Sequence, residues 1–285
     1  MKFIVSIVFT LMFFNFLRVE ASESFAQNES FESLILPRTP DQQSQGSPTR
    51  VNYRVYFSQK YDPNKIHSVV YFLHGRNGNK WTLDQLDIFK SLDNWVLKNP
   101  HKNILIVAPE CNNCYWMNAA RMNARWADVI TQELVSDVEK KFNTLRSPRG
   151  RLISGISMGG HGATQIMLNY PHIFGAMAAH SPVYRTQEEA LKDFADQFGS
   201  GDDFQNRDPF SLIRIKNKKI EGSIWIDIGG SDYALNQTSR FADLVRQYGF
   251  NGELHIGEDT IGGHNGGYWS WHLPEYLQWY SDHLN

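Results

Sequence analysis

The chain has 285 residues, of which 41% are hydrophobic and 20% charged, a composition that excludes a disordered protein. Its two cysteines are too few to staple a fold of this size, so its stability must come from a hydrophobic core. Lys and Arg number 28 against 30 Asp and Glu, for a net charge of −2. Because no excess of basic residues is available to hold a phosphate backbone, we expect no nucleic-acid binding.

The first 21 residues are typical of a secretory signal peptide. Lys2 precedes a mostly apolar run from Phe3 to Leu17, and the segment ends at the small residue Ala21. This run of fifteen residues is shorter than the ~20 that span a bilayer. An uncleaved anchor or a buried helix is the alternative. We therefore expect a secreted or periplasmic protein without stable membrane insertion.

The rest of the sequence divides into a polar segment and one α/β domain. Residues 22–50 are rich in Ser, Gln, Glu and Pro without a sustained hydrophobic period, which predicts a polar linker. From position 51 to 285, strand-like and helical patterns alternate, which favours a mostly parallel sheet with helices on both faces. The predicted strands cover 51–57, 67–73, 103–107, 151–155, 175–180, 223–228 and 253–256, and the predicted helices cover 83–97, 126–142, 158–170, 187–198, 237–248 and 269–283.

A G-x-S-x-G sequence, residues 155–159, lies between a predicted strand and a predicted helix. This is the context of a nucleophile elbow, a tight turn that exposes a serine hydroxyl, here Ser157, above the sheet. The start of the helix directs free N–H groups, including that of Met158, toward the same point and favours a developing oxyanion. A merely structural glycine turn is the alternative. A phosphate-binding loop fits poorly because the Lys-Ser/Thr ending is missing.

A serine hydroxyl needs a base that takes its proton. In hydrolases of this layout, an acid and then a histidine follow the serine in the chain. His264 lies in a glycine-flanked loop after the last predicted strand and is the predicted base. Two acids precede it. Asp227 falls inside a strand, whereas Asp232 follows the carboxyl end of that strand, where active sites of open α/β sheets form, so we favour Asp232.

Three further side chains and one loop complete the predicted site. The loop after the strand 67–73 is placed to give a second backbone donor to an oxyanion. His161 follows the serine by about one helical turn and is predicted to line the pocket. Trp116 and Trp269 lie nearest the predicted site in the sequence, so we expect both to border the substrate.

These motifs, in this order, resemble the α/β-hydrolase family named Putative esterase. That family includes S-formylglutathione hydrolases, tributyrin, feruloyl and acetylxylan esterases, and mycobacterial mycolyltransferases. The resemblance implies Ser157 as nucleophile, Asp232 as acid, His264 as base and backbone donors at Arg76 and Met158, with no metal or organic cofactor. The matching segments are V-V-Y-F-L-H-G (69–75), G-I-S-M-G-G-H-G-A (155–163), Y-P-H-I-F-G-A-M-A-A-H-S-P (170–182), D-I-G-G-S-D (227–232) and G-G-H-N-G-G-Y-W (262–269).

The resemblance does not explain a C-x-x-C formed by Cys111 and Cys114. An exported protein favours a local disulfide between them. The next interpretation in order of preference is a pair of free thiols, followed by a redox centre. A metal site comes last, because zinc would need two more ligands of comparable quality.

We therefore expect a secreted serine carboxylesterase that hydrolyses short-chain acyl esters of small or carbohydrate-linked alcohols through an acyl-enzyme on Ser157. One alternative shares this chemistry but transfers the acyl group to a sugar or alcohol acceptor. The others are a non-catalytic binding protein on a hydrolase scaffold and a thiol oxidoreductase that uses Cys111 and Cys114.

Overall fold

The computed structural model describes residues 29–44, 46–216 and 221–284, and the predicted signal peptide over 1–21 lies outside them. The described strands form one eight-stranded sheet in the order β1-β2-β4-β3-β5-β6-β7-β8. Strand β2 pairs antiparallel with β1 and β4, whereas all pairs from β4 to β8 are parallel. The strands are β1 (Glu29–Ile35), β2 (Arg50–Tyr56), β3 (Ser68–Leu73), β4 (Ile104–Pro109), β5 (Arg151–Ile156), β6 (Ala176–His180), β7 (Ser223–Ile228) and β8 (Gly252–Ile256).

Helices connect the parallel strands and cover both faces of the sheet. The predicted helix over 83–97 is two helices, because Asp87 between them takes a left-handed φ of 62°. None of the described helices is both long enough and apolar enough to cross a membrane. The helices are α1 (Pro40–Ser44), α2 (Thr82–Gln85), α3 (Ile88–Lys98), α4 (Trp126–Asp128), which continues through a π-helical segment (Val129–Leu134) into α5 (Val135–Lys141), α6 (Met158–Asn169), α7 (Gln187–Phe198), α8 (Asp202–Gln205), α9 (Pro209–Lys216), α10 (Leu235–Gln247) and α11 (Gly266–Asp282), with a 3-10 turn at Pro148–Gly150.

The segment predicted as a polar linker contains an edge strand. Strand β1 pairs along its whole length with β2, with Leu34 opposite Val51. The following Leu36 is buried in a small cluster with Val51 and Val129. The structure corrects the linker prediction over 29–35: few apolar side chains suffice there because the backbone groups find partners in β2.

The sheet lies between two hydrophobic layers. Val70 and Phe72 of β3 belong to the layer that contains Leu277 of α11. Val69 and Tyr71 belong to the opposite layer, which contains residues of α6. Alternate residues of a strand point to opposite faces, so β3 is buried on both. The predicted α/β class is confirmed, and the parallel strands bring the loops after β3, β5, β6, β7 and β8 to one edge of the sheet.

A buried carboxylate ties helix α11 to strand β7. Oδ1 of Asp227 lies 2.5 Å from Nδ1 of His180 and accepts a 2.7 Å hydrogen bond from the Trp225 indole. Oδ2 accepts hydrogen bonds from the hydroxyls of Tyr268 (2.9 Å) and Tyr276 (2.7 Å). Burial alone would raise the pKa of Asp227, but the adjacent His180 and these donors outweigh it and lower the pKa. Asp227 is therefore a buried anion that holds the first turns of α11.

Replacing this carboxylate should destabilise the fold. Asp227→Asn puts an amide against groups that donate to an anion, so we expect the free energy of unfolding to fall by about 3 kcal/mol. Denaturant unfolding measures this change in free energy. Asp243→Asn is the matched control, since that side chain is 74% exposed and pairs with Arg246 on the surface of α10. A loss no larger than that of the control would show that the buried network contributes no net stability.

A second buried polar group lies in the first turn of α6. The His161 ring is packed edge-on against Tyr115 and Phe198, with centroids 5.4 and 5.5 Å away. Burial lowers its pKa to about 3, a shift that the nearby carbonyls of Val183 and Arg207 oppose only in part. The folded protein therefore keeps this imidazole neutral where an unfolded chain would protonate it.

This difference makes stability depend on pH with a defined sign. The unfolded chain binds a proton at His161 below ~6.5, but the folded chain does so only near pH 3. The residue's contribution is thus complete above ~6.5 and is lost on acidification, by up to ~1.4 kcal/mol per pH unit. His161→Phe should flatten the fall of unfolding free energy across this window. The exposed His172→Phe should keep the wild-type curve, and two identical curves would contradict the assignment.

Candidate active site

The turn between β5 and α6 is a sharp elbow at Ser157. The serine has φ 57° and ψ −116°, a conformation that L-residues rarely adopt. Glycines on both sides make it possible: a Cβ at Gly159 would lie 1.9 Å from the carbonyl oxygen of Leu73, and one at Gly155 would lie 2.5 Å from the carbonyl carbon of Gly159. The Ser157 N–H donates to the carbonyl of His180 (2.9 Å), so the turn is held by the neighbouring strand.

Two hydrogen bonds link Ser157 to His264 and His264 to Asp232. Oγ of Ser157 lies 2.8 Å from Nε2 of the imidazole, and Nδ1 lies 2.8 Å from Oδ2 of Asp232. With the carboxylate ionised, Nδ1–H donates to it, which leaves Nε2 free to accept the serine proton. This geometry can generate a nucleophilic alkoxide and stabilise the imidazolium that results.

The loops that carry the acid and the base contact each other through their backbones. A Cβ at Gly229 would lie 2.1 Å from the carbonyl oxygen of Gly262, and the Ser231 N–H donates to that oxygen (2.9 Å). The second carboxylate oxygen of Asp232 accepts from the Ala234 N–H (2.8 Å). The structure thus places Asp232 against His264, whereas the donors around Asp227 occupy both of its oxygens.

The loop after β3 lies beside the serine. A Cβ at Gly75 would come within 3.2 Å of the Ser157 Cβ, so the backbone of the next residue, Arg76, passes close to the hydroxyl. His74 fixes this loop, because Nδ1–H donates to the Gly75 carbonyl (2.7 Å) and Nε2 accepts from the Cys111 N–H (3.2 Å). Burial lowers the pKa of His74, which keeps this pattern intact. Met158, the first residue of α6, offers an N–H without an intrahelical acceptor.

One predicted substrate-contacting side chain lies at the site. The Trp269 ring is 5.2 Å from the His264 ring, edge-on, and its indole N–H donates to the Ser181 hydroxyl (3.1 Å). Tyr233, which the sequence analysis did not select, also contacts the imidazole, with its ring centroid 4.6 Å away, and is 71% exposed. Its position directly after Asp232 is the signal that would have found it.

The structure corrects two other predictions of substrate contact. Trp116 is fully buried and donates its indole N–H to the carbonyl of His74 (3.1 Å), so it holds the start of the loop after β3. His161 is also buried, under Tyr115. Both were expected to face the substrate because of their place in the sequence, but the aromatic packing around them excludes solvent.

The predicted local disulfide is present, in a loop that contacts the loop after β3. Cys111 and Cys114 are joined, with their Cα atoms 6.1 Å apart. Between them, Asn113 exchanges two hydrogen bonds with Asn77, of 2.9 and 3.0 Å, and so attaches the disulfide loop to the loop after β3. Within the part of the chain that the structure describes, no group of three His, Cys, Asp or Glu side chains is placed to hold a metal ion.

Comparisons with known proteins identify the family to which the chain belongs. The family model named Putative esterase matches residues 44–280. An S-formylglutathione hydrolase of Paracoccus denitrificans (strain Pd 1222) is 33% identical over 119 residues, which are 41% of this chain and only 39% of that protein. An acetyl esterase of Caldicellulosiruptor saccharolyticus is 20% identical over 243 residues, covering 79% of this chain and 87% of that one.

The fold is also found among solved structures. That of a ferulic acid esterase superposes with a TM-score of 0.70 at 18% identity, covering 90% of this chain and 99% of the other. A likeness at this identity bears on the fold, whereas the family match covers most of the sequence. The chain therefore belongs to the Putative esterase family and has the α/β-hydrolase fold that the sequence predicted.

Proposed function

We propose that the protein is a serine carboxylesterase in which Ser157 is the nucleophile, His264 the general base and Asp232 the acid that orients it. The observation that carries this proposal is the pair of 2.8 Å hydrogen bonds joining the three side chains at a glycine-bounded elbow. The names of the relatives, an S-formylglutathione hydrolase and an acetyl esterase, support hydrolysis of acyl compounds.

The geometry accounts for each step of acyl transfer to water. His264 Nε2 takes the hydroxyl proton as Ser157 Oγ attacks the ester carbonyl, and the imidazolium that forms is stabilised by Asp232. The backbone N–H groups of Met158 and Arg76 stabilise the negative charge on the carbonyl oxygen. His264 then gives the proton to the leaving alcohol, and water, activated by the same base, releases the acid from the serine.

We further propose that the acyl group is short, from acetyl to butyryl. The segment between β6 and β7 supports this, because its aromatic side chains Phe194, Phe198 and Phe204 are buried in the core. An apolar lid that opens on a lipid surface would instead expose such side chains. The matching acetyl esterase also supports it. A rate maximum on long-chain triglyceride emulsions would contradict the chain-length preference.

Export is part of the same proposal. The signal-like sequence at positions 1–21 and the disulfide between Cys111 and Cys114 both suit an oxidising compartment outside the cytoplasm. The protein is thus proposed to act in the periplasm or outside the cell, on small or carbohydrate-linked esters.

Substitutions should show that Ser157, His264 and Asp232 act together in catalysis. Ser157→Ala removes the nucleophile and should reduce turnover of p-nitrophenyl acetate by several orders of magnitude. His264→Ala should approach the same loss, and the double variant should lose little more, because the residues act together. Asp232→Asn should keep the fold but lower kcat by up to ~10⁴, since it favours the wrong imidazole tautomer.

Asp227→Asn is the control that separates the two acids. It retains the hydrogen bond between Asp232 and His264, so any folded fraction should keep most of its turnover. Kinetics normalised to the folded fraction by circular dichroism make this comparison. If Asp232→Asn kept near-normal kcat while folded Asp227→Asn lost it, the acid would be assigned to the wrong residue.

A further inference from the structure

Two guanidinium groups meet on one aromatic ring beside the site. Cζ of Arg76 lies 5.3 Å from the Phe194 ring centroid, and Cζ of Arg185 lies 4.8 Å from it. Arg76 belongs to the loop after β3 and Arg185 to the loop after β6, so the two charges come from different parts of the chain. A ring of this kind attracts cations to its face and holds both side chains at one place.

Both arginines lie in loops whose backbone approaches Ser157. Arg76 follows Gly75, the residue whose Cβ would lie 3.2 Å from that of Ser157. Arg185 is two residues beyond Val183, whose N–H donates to the Ser157 carbonyl (3.2 Å). Since consecutive Cα atoms are ~3.8 Å apart, both side chains begin within a few residues' reach of the hydroxyl. The pair therefore lies on the two loops that approach the serine.

Tyr233 lies within the electrostatic reach of both arginines. Burial and the neighbouring Asp232 raise the pKa of this phenol, and Arg185 and Arg76 both oppose the rise. The same phenol ring lies 4.6 Å from the ring of His264. Both guanidinium groups are thus close enough to act on a side chain that contacts the proposed base.

Neither arginine has a carboxylate partner within the described residues, although six other arginines there form ion pairs. Nε of Arg185 donates to the neutral hydroxyl of Tyr115, and the nearby Glu189 accepts instead from the Thr186 N–H (2.8 Å) in a helix cap. Two neighbouring positive charges repel each other, and an anion between them would relieve that repulsion.

We propose that Arg76 and Arg185 bind an anionic group of the substrate, so that the preferred esters carry a carboxylate, sulfate or phosphate. Guanidinium groups match such anions through paired N–H donors, and a positive cleft also steers charged substrates toward the serine. This inference rests on the proposed esterase function and adds the substrate class. The anion belongs either to the acyl part or to the alcohol part of the ester.

Two matched substrate pairs distinguish these sources. p-Nitrophenyl hemiglutarate against p-nitrophenyl valerate places the charge on the acyl part, and p-acetoxybenzoate against its methyl ester places it on the alcohol part. The measured quantity is the ratio of kcat/KM for the anionic ester to that for its neutral partner. Comparing this ratio between proteins cancels the intrinsic reactivity of each ester.

Arg185→Gln should lower that ratio about 10- to 100-fold in one of the two pairs, the loss expected for a hydrogen bond to a charged group. Arg185→Lys keeps the charge but not the planar guanidinium group, so its ratio should lie between those of the wild type and Arg185→Gln. Raising the ionic strength should lower the wild-type ratio, because exposed charges are screened. Arg240→Gln is the matched control: this exposed arginine also lies over a phenylalanine ring and forms no ion pair among the residues that the structure describes, and its loss should leave the ratio unchanged.

The outcomes separate this inference from the proposed function. If wild-type protein hydrolyses the neutral esters but Arg185→Gln changes neither ratio, the anion site is refuted and the esterase remains. If Arg185→Gln and Arg240→Gln lower the ratio equally, the effect is one of net charge and the site is also refuted. If the wild type hydrolyses no ester and a fluorophosphonate does not label Ser157, the proposed function itself fails.

Discussion

The contact between Gly159 and the carbonyl oxygen of Leu73 is the constraint on which the site depends. With only 1.9 Å available for a Cβ there, helix α6 can begin directly above the sheet only if that residue is glycine. Ser157, two residues earlier, has a positive φ, a conformation that costs on the order of 1–3 kcal/mol. The backbone hydrogen bonds to His180 and from Val183 hold the strained residue in place.

The imidazole is positioned from two sides. On one side, the loop that contains Asp232 packs against the His264 loop through Gly229 and Gly262. On the other, helix α11 begins two residues after His264, at Gly266, and its first turns are fixed by hydrogen bonds from Tyr268 to Asp227 and from Trp269 to Ser181. The buried carboxylate of Asp227 thus contributes to the site through the helix, without contacting the reacting groups.

Sequence patterns predicted the parts of the fold whose geometry is fixed locally. The buried strands β3 to β7, the glycine-bounded elbow and the position of Asp232 after a strand each follow from one short stretch of chain. Strand β1 was not predicted, because its stability comes from pairing with β2 and its own sequence is polar. The break between α2 and α3 was also missed, since nothing in the pattern signals a left-handed Asp87.

The cluster of Tyr115, Arg185 and Phe194 could not be predicted for a different reason. These residues come from three separate segments, and only the folded chain brings them together. Trp116 was expected at the substrate because it lies near the predicted site in the sequence, yet its side chain fills the space beside Gly162, where a Cβ would lie 2.6 Å from its own. Such packing depends on residues that are distant in the sequence, so it leaves no periodic pattern in the sequence.

The most direct test of the proposed mechanism is to identify the covalent intermediate. The protein is mixed with p-nitrophenyl acetate, quenched in acid within the first turnover and digested, and the peptides are analysed by mass spectrometry. The mechanism predicts an added acetyl group on Ser157, which accumulates in wild-type protein and is absent from Ser157→Ala. An acetyl group on another residue, or the same adduct yield in Ser157→Ala, would contradict the assignment of Ser157 as the nucleophile.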